Sequence, residues 1–161
     1  MRKTFYASHS SYSEPGPYRA TLMRGDSEPA LVARWIASFM QHPRGAESKS
    51  QGFTPEQAAD LELRSVAEIL SVAVERNLLE GDAAPPKVGG VCRDFAILAV
   101  SRFRERGTPA RLRVGFADYL VPDHWEDHWL CEWHDGVVCG RGRNPTLRLW
   151  PPIFAGEVDM L

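Results

Sequence analysis

The feature that most constrains this chain is a change of hydrophobic period between residues 92 and 116. From about Cys92 to Arg106, apolar residues recur at helical spacing, which predicts a helix with one buried face. Gly107 and Pro109 end that helix, because glycine suits the residue after a helix and proline cannot continue it. Residues 111–116 then alternate between charged and apolar side chains, as a half-buried strand does.

Two further helices are predicted in the N-terminal half. The first starts near Pro29, where Ser27 and Glu28 precede an early proline, and its helical spacing continues to Met40. The second runs from residue 54 to about residue 77, and its TPEQ start has the pattern of a capping box. The first 26 residues are rich in Ser, Tyr, Gly and Pro and are expected to form an extended arm, and residues 43–53 a polar loop.

A second strand is predicted from His128 to Trp133, after a loop at residues 118–126. Asp135-Gly136 has the sequence of a two-residue hairpin turn, so a return strand is expected to begin at residues 137–139. The last residues show no clear periodicity. We interpret the chain as a single domain over residues 1–161, with its core at 27–136 and an atypical tail at 137–161.

Composition limits the function classes. The chain has 161 residues, 43% of them hydrophobic and 25% charged, which is ordinary for a globular domain. A net charge of -2 argues against a nucleic-acid or membrane partner. There is no apolar signal segment or bilayer-spanning run, and an odd number of cysteines, three, fits reduced thiols. A cytoplasmic location is therefore expected.

Cys92 has the local surroundings of a nucleophile. A thiol reacts as its thiolate, and a helix N-terminus favours negative charge because its backbone N–H groups lack intrahelical partners. The glycines at 89 and 90 let a substrate approach the sulfur. The alternative is a small, buried core cysteine, which is the commoner fate of a lone cysteine.

His128 is the candidate base for this thiol. The chain between Cys92 and His128 holds a helix and a strand, which is long enough to fold back on itself. In strand geometry His128, Leu130 and Glu132 share one face, while Cys131 lies on the other. His128 and Cys131 are therefore poor partners for a common metal ion.

These residues lie within a pattern that resembles the transglutaminase-like superfamily. The pattern consists of GVCRDFA at 90–96, RGTPAR at 106–111, and Asp127-His128-Trp129 followed by Glu132. It covers about half of the chain, and the order and spacing of its parts are more specific than any one part. The N-terminal half also looks like that of bacterial transglutaminase-domain proteins.

The resemblance implies a papain-like α+β fold. Its helices would come first, and the nucleophile would lie at a helix start packed on a small antiparallel sheet. It also implies that Cys92 and His128 are the thiol pair. In the family, an Asp in a Val-Asp-Pro-Thr setting follows about sixteen residues after the histidine.

This chain has Asn144 at that position, in the sequence Asn144-Pro145-Thr146. A two-residue turn at 135–136 would also place Asn144 beside His128. An asparagine can orient an imidazole, as in papain-like proteases. The alternatives are that Asn144 and Pro145 form only a turn, or that residues 137–161 are diverged or truncated and the site is incomplete.

The implied reaction is thiol acyl transfer on a protein or peptide substrate that carries an amide. Hydrolysis through an acyl-thioester is favoured, and transglutaminase-type transfer to an amine is possible. No cofactor is expected. The alternative function is an inactive transglutaminase-like binding module.

Two minor interpretations remain open. The first is zinc binding, since Cys and His residues are dense between 124 and 139. The second concerns two carboxylates: Asp94 is expected to stabilise the helix start, and Glu132 to be solvated or ion-paired. The residues of the possible zinc set are His124, His128, Cys131, His134 and Cys139.

Overall fold

The computed structural model describes residues 3–80, 86–121, 123–134 and 147–149, which form an α+β arrangement of helices and two small sheets. The helices are α1 Lys3–Ala7, α2 Arg19–Met23, α3 Pro29–Phe39, α4 Ala46–Gln51, α5 Pro55–Asp60, α6 Val66–Glu75 and α7 Cys92–Glu105, with a 3-10 turn at Gly16–Tyr18. The strands are β1 Met40–Gln41, β2 Val88–Gly89, β3 Ala110–Val121, β4 His124–His134 and β5 Leu147–Leu149.

The two sheets differ in size and direction. β1 and β2 are parallel and pair Met40 with Val88. The larger sheet has the order β3-β4-β5 and is antiparallel throughout. β3 and β4 keep one register from Ala110, opposite Trp133, to Ala117, opposite Glu126.

Helix α7 packs lengthwise on the β3–β4 hairpin and forms the centre of the core. Near its C-terminus the Phe103 ring stacks on the Trp133 ring, with centroids 5.3 Å apart. Arg104 Nε donates to the Ala110 carbonyl at 2.9 Å. The helices α3 and α6 cover α7 with fully buried side chains, namely Val32, Ile36, Phe39, Val66, Ile69 and Leu70.

The predicted helix starts are confirmed by their caps. Thr54 Oγ1 accepts the Gln57 N–H at 3.2 Å, and Gln57 Oε1 accepts the Thr54 N–H at 2.9 Å, which completes the capping box. The helix expected over 54–77 is divided in two, however. Ser65 and Glu68 form a second capping box that starts α6, so the chain turns between α5 and α6.

The N-terminal residues differ from the extended arm that was expected. They form α1, the 3-10 turn and α2, and Leu22 is completely buried in the core. Ser101 Oγ of α7 donates to the Ser13 carbonyl at 2.6 Å. Contacts with α7 therefore fold a segment whose composition alone indicates irregular chain.

The loops and the sheet also differ from the prediction. The polar loop at 43–53 contains α4, and the loop expected at 118–126 is largely strand, because β3 continues to Val121. Asp123 adopts a left-handed backbone (φ 57°) at the turn between β3 and β4. β5 pairs Leu147 with His134, whereas a two-residue turn at 135–136 would pair His134 with Val137. That register is therefore wrong, and residues 135–146 separate the two strands.

Candidate functional site

The strand that leads to Cys92 is held by hydrogen bonds to α5 and to β1. Asp60 Oδ2 accepts the Gly89 N–H at 2.9 Å while the same carboxylate binds Arg76 at 2.7 and 2.8 Å. The Gly90 N–H donates to the Gln41 carbonyl at 3.0 Å. A Cβ added to Gly89 would overlap the Gln57 carbonyl oxygen, and one added to Gly90 would overlap Met40 Cε. A glycine is required at 89, because its neighbour there is backbone, whereas the neighbour at Gly90 is the flexible end of a methionine side chain.

Helix α7 begins at Cys92, and Asp94 stabilises this start. Asp94 Oδ2 accepts the Val91 N–H at 2.9 Å, and Oδ1 accepts Arg93 Nε at 2.8 Å. The Asp94 side chain is buried, which raises its pKa, although the Val91 N–H and Arg93 oppose that change. These contacts agree with the structural role expected for Asp94.

The Cys92 thiol is half-buried beside the main chain of β4. Burial raises its pKa, and the charges of Asp127 and Asp94 act in the same direction. The backbone N–H groups of Trp129 and Arg93 oppose this effect, because they hydrogen-bond to the sulfur and favour its anion. Burial outweighs the helix start, so the resting thiol is protonated at neutral pH, contrary to the lowered pKa expected from the helix N-terminus alone.

His128 lies on β4 directly before Trp129 and opposite Gly115 of β3. Its side chain is 5% exposed. Burial lowers its pKa, and the nearby carboxylates of Asp127 and Glu126 partly oppose that shift. His128 is therefore a neutral imidazole at pH 7. The contact between Cys92 and Trp129 brings the predicted thiol next to the strand residue that follows the predicted base.

A second imidazole and an arginine, not predicted from the sequence, complete this region. His42 is 8% exposed, and its Nδ1 accepts the Arg44 N–H at 3.0 Å. Burial, followed by the charges of Arg44 and His128, lowers the pKa of His42 to about 4. Arg44 Nη1 binds Glu126 Oε1 at 2.6 Å, and the charges of Cys92 and Asp127 add to the raised pKa of Arg44.

Neither residue has a recognisable signal in the sequence. His42 and Arg44 flank a proline that follows a helix, which indicates only a turn. Their place beside β4 depends on the parallel pairing of β1 with β2, between segments that are far apart in the chain.

The other sequence candidates lie apart from the thiol or outside the described residues. Glu132 is 1% exposed and ion-paired, accepting Arg111 Nε and Arg113 Nη1 at 2.7 Å each. Cys131 is fully buried, which raises its pKa strongly, so it is an unreactive thiol. Asn144, with Pro145 and Cys139, lies outside the described residues, and its orienting role stays a prediction.

In the part of the chain that the structure describes, no three His, Cys, Asp or Glu side chains are grouped so that they could hold a metal ion. Cys131, a member of the set considered for zinc, faces the core beside Trp133. Within the same described residues, no helix has the length and apolar character needed to cross a bilayer.

The comparisons with known proteins support the fold. The chain is similar to a crystal structure from Cytophaga hutchinsonii described as a "putative cysteine protease", with a TM-score of 0.56 and 17% sequence identity. The match covers 91% of this chain and 40% of the other, so the chain spans less than half of that protein. No protein-family model and no curated protein matches the sequence. The likeness shows a shared fold with a protein of that description.

Proposed function

We propose that this chain is a transglutaminase-like, cysteine-dependent acyl-transfer enzyme that hydrolyses amide bonds in a protein or peptide substrate. The observation that carries the proposal is the position of Cys92. It is the first residue of α7, and its sulfur accepts a hydrogen bond from the backbone N–H of Trp129, the residue that follows His128. The motif resemblance and the shared fold with a cysteine protease structure support the same chemistry.

In this mechanism the resting thiol and imidazole are both neutral, as their pKa directions indicate. As the substrate carbonyl approaches, the thiol proton moves to His128 and the sulfur forms a bond with the carbonyl carbon. The Cys92 backbone N–H at the start of α7 stabilises the developing oxyanion. His128 then protonates the leaving amine as the C–N bond breaks, and water hydrolyses the resulting thioester.

Asn144 is assigned the orienting role in this proposal by resemblance. His128 is close enough to His42 for its charge to lower the pKa of His42, and that low pKa keeps His42 neutral during the reaction. A neutral His42 adds no positive charge that would oppose protonation of His128.

An inactive binding module is the second candidate. It is favoured by the raised pKa of Cys92 and the lowered pKa of His128, because both oppose a resting thiolate–imidazolium pair. The two candidates differ in whether Cys92 can form an acyl adduct.

The test measures iodoacetamide alkylation of each cysteine against pH by peptide mass spectrometry, followed by labelling with a p-nitrophenyl ester. We expect Cys92 to react at least about tenfold faster than Cys131, and His128→Ala to slow both reactions of Cys92 about tenfold or more. His124→Ala is the matched control, because His124 is an exposed histidine on the same strand. If Cys92 is alkylated but never acylated, the inactive module is the correct function.

A further inference from the structure

The two ring nitrogens of His42 have different roles. Nδ1 accepts the backbone N–H of Arg44 at 3.0 Å, so this nitrogen carries no proton. The side chain is buried, and burial lowers the pKa of the ring to about 4, so the ring is neutral at pH 7. A neutral imidazole has one N–H, which is therefore on Nε2. Because Nδ1 is turned toward the backbone of its own turn, the Nε2–H points away from that turn.

The pairing of β1 with β2 places this ring at the start of α7. His42 directly follows β1, which is parallel to the strand that ends at Gly89, so His42 and Gly90 occupy adjacent positions. Gly90 is two residues before Cys92. The His42 ring also lies beside the Phe95 ring, with centroids 6.3 Å apart, and Phe95 lies about one helical turn after Cys92. The ring therefore lies next to the first turn of the helix that carries the thiol.

The face of β4 that carries the candidate base is also near this ring. His128 and Glu126 are two residues apart on one strand, so their side chains share a face. Both charges act on the pKa of His42: His128 lowers it and Glu126 raises it. His42 therefore lies in the region between the first turn of α7 and the strand face of His128.

We infer that His42 is a catalytic residue, whose Nε2–H donates to the carbonyl oxygen of the substrate and stabilises the oxyanion that forms when Cys92 attacks. This inference rests on the proposed function, which assigns the thiol as the nucleophile. As the sulfur bonds to the carbonyl carbon, the thiol proton passes to His128 and the π electron pair of the carbonyl moves to its oxygen. That oxygen accepts two hydrogen bonds, one from the Cys92 backbone N–H and one from His42.

His42 keeps its proton throughout this step. When the C–N bond breaks and His128 protonates the leaving amine, the C=O bond forms again and the His42 N–H is unchanged. His42 does not compete with His128 for the thiol proton, because its unprotonated nitrogen is occupied by the Arg44 N–H. The two imidazoles therefore have separate roles, one as the base and the other as a neutral hydrogen-bond donor.

The test compares two reactions of Cys92 that differ in whether an oxyanion forms. p-Nitrophenyl acetate acylates the thiol through a tetrahedral oxyanion, whereas iodoacetamide alkylates it by displacement at a saturated carbon. Both products are measured at Cys92 by peptide mass spectrometry. The ratio of the acylation rate to the alkylation rate separates oxyanion stabilisation from the general reactivity of the thiol.

Two substitutions of His42 remove or retain the donor. His42→Asn has a carbonyl oxygen near the position of Nδ1, which can accept the Arg44 N–H, but it has no donor at the position of Nε2. His42→Gln has an amide N–H near the position of Nε2. We expect His42→Asn to lower the ratio about tenfold or more and His42→Gln to keep it within about threefold of the wild type. His124→Asn, at an exposed histidine of β4, is the matched control and should leave the ratio unchanged.

The tautomer of His42 provides a second measurement, which uses the wild-type protein. Protonated and unprotonated imidazole nitrogens differ in their ¹⁵N chemical shifts, so a long-range ¹H–¹⁵N correlation spectrum at pH 7 shows which nitrogen carries the proton. The loss of one set of signals in His42→Gln assigns the ring. We expect the Nε2–H tautomer.

Three results would overturn the inference. The first is an Nδ1–H tautomer of His42 in the wild type, and the second is an unchanged ratio in folded His42→Asn. The third is an equal fall of both rates in that variant, since the ring would then only position the thiol or its base. Failure of the proposed function is distinguishable from all three, because wild-type Cys92 would then be alkylated but never acylated.

Discussion

The two ends of the layer formed by α7 and the β3–β4 hairpin differ in how much of the sheet face is buried, although β3 and β4 keep one register between them. At the closed end, Phe103 stacks on Trp133, and Ala110 and Cys131 are buried. At the open end the same helix and strands surround a half-buried Cys92, and the sheet face is exposed at Val114 and Phe116. One end supplies packing energy and the other leaves the thiol accessible, so tight packing and thiol access are separated along one pair of elements.

The two described cysteines show the same contrast. Cys131 at the closed end is completely buried among apolar side chains. Cys92 is partly accessible, and its sulfur accepts hydrogen bonds from two backbone N–H groups. Burial raises the pKa of this thiol, and the two hydrogen bonds oppose that increase. Only the second environment leaves a thiol that a reagent can reach.

The largest expected effect is the difference in the free energy of unfolding between two aromatic truncations, one at each end. Phe103→Ala should lower the free energy of unfolding by about 3–5 kcal/mol, because it leaves a cavity against Trp133. Phe116→Ala should change it by less than about 0.5 kcal/mol, because Phe116 is mostly in water. Urea unfolding followed by circular dichroism measures both. Equal losses would show that the open end is packed like the closed one.

A smaller effect is expected from the pH dependence of His42. Its folded pKa of about 4 lies below the value of about 6.5 for an unfolded histidine, so the unfolded chain binds the proton more readily. Stability should therefore fall as the pH decreases from about 6.5 to about 4, by about 3 kcal/mol from this group. Below pH 4 this group contributes no further change.

His42→Gln should reduce the slope of that part of the stability curve, measured by urea unfolding at pH 7, 5.5 and 4, and leave the part that His128 contributes. The exposed His124→Gln is the matched control and should leave the slope as it is. An unchanged slope in His42→Gln would mean that His42 is not held as a neutral group in the folded protein.

The smallest expected effect concerns two glycines. Nothing lies within 4 Å of a Cβ added to Gly115, so Gly115→Ala should stabilise the protein by about 0.5 kcal/mol through a less flexible unfolded chain. Gly89→Ala should instead destabilise it by about 1–3 kcal/mol, because the methyl group meets the Gln57 carbonyl. Thermal unfolding of the two variants gives both signs. Destabilisation by Gly115→Ala would show that the added methyl group meets a neighbouring group at the open end.

The features predictable from the sequence are those fixed by neighbouring residues. The start of α5 at Thr54 and of α7 at Cys92, and the end of α7 before Gly107, each depend on side chains within one helical turn. The alternation that predicts β3 is equally local. These signals were sufficient to predict the helix that begins at Cys92 and the strand that carries His128.

The features that were missed depend on distant contacts. His42 reaches the site through β1, which pairs with a strand almost fifty residues later. The N-terminal helices fold because Ser13 and Leu22 contact the α7 layer, and no local pattern indicates that. The register of β5 was wrong for a related reason: the turn signal at Asp135-Gly136 is local, whereas the observed pairing of Leu147 with His134 is not.

The anchoring of the strand before Cys92 has a consequence for how the protein is made. Gly89 and Gly90 are held by Asp60 and by the Gln41 carbonyl, and the thiol receives its last contact from Trp129. During synthesis the chain emerges N-terminus first, so Cys92 is exposed to the cell before β4 has been made. Until that strand docks, the thiol lacks the Trp129 contact and, under the proposed function, its base, so acyl transfer would begin only after the hairpin has folded.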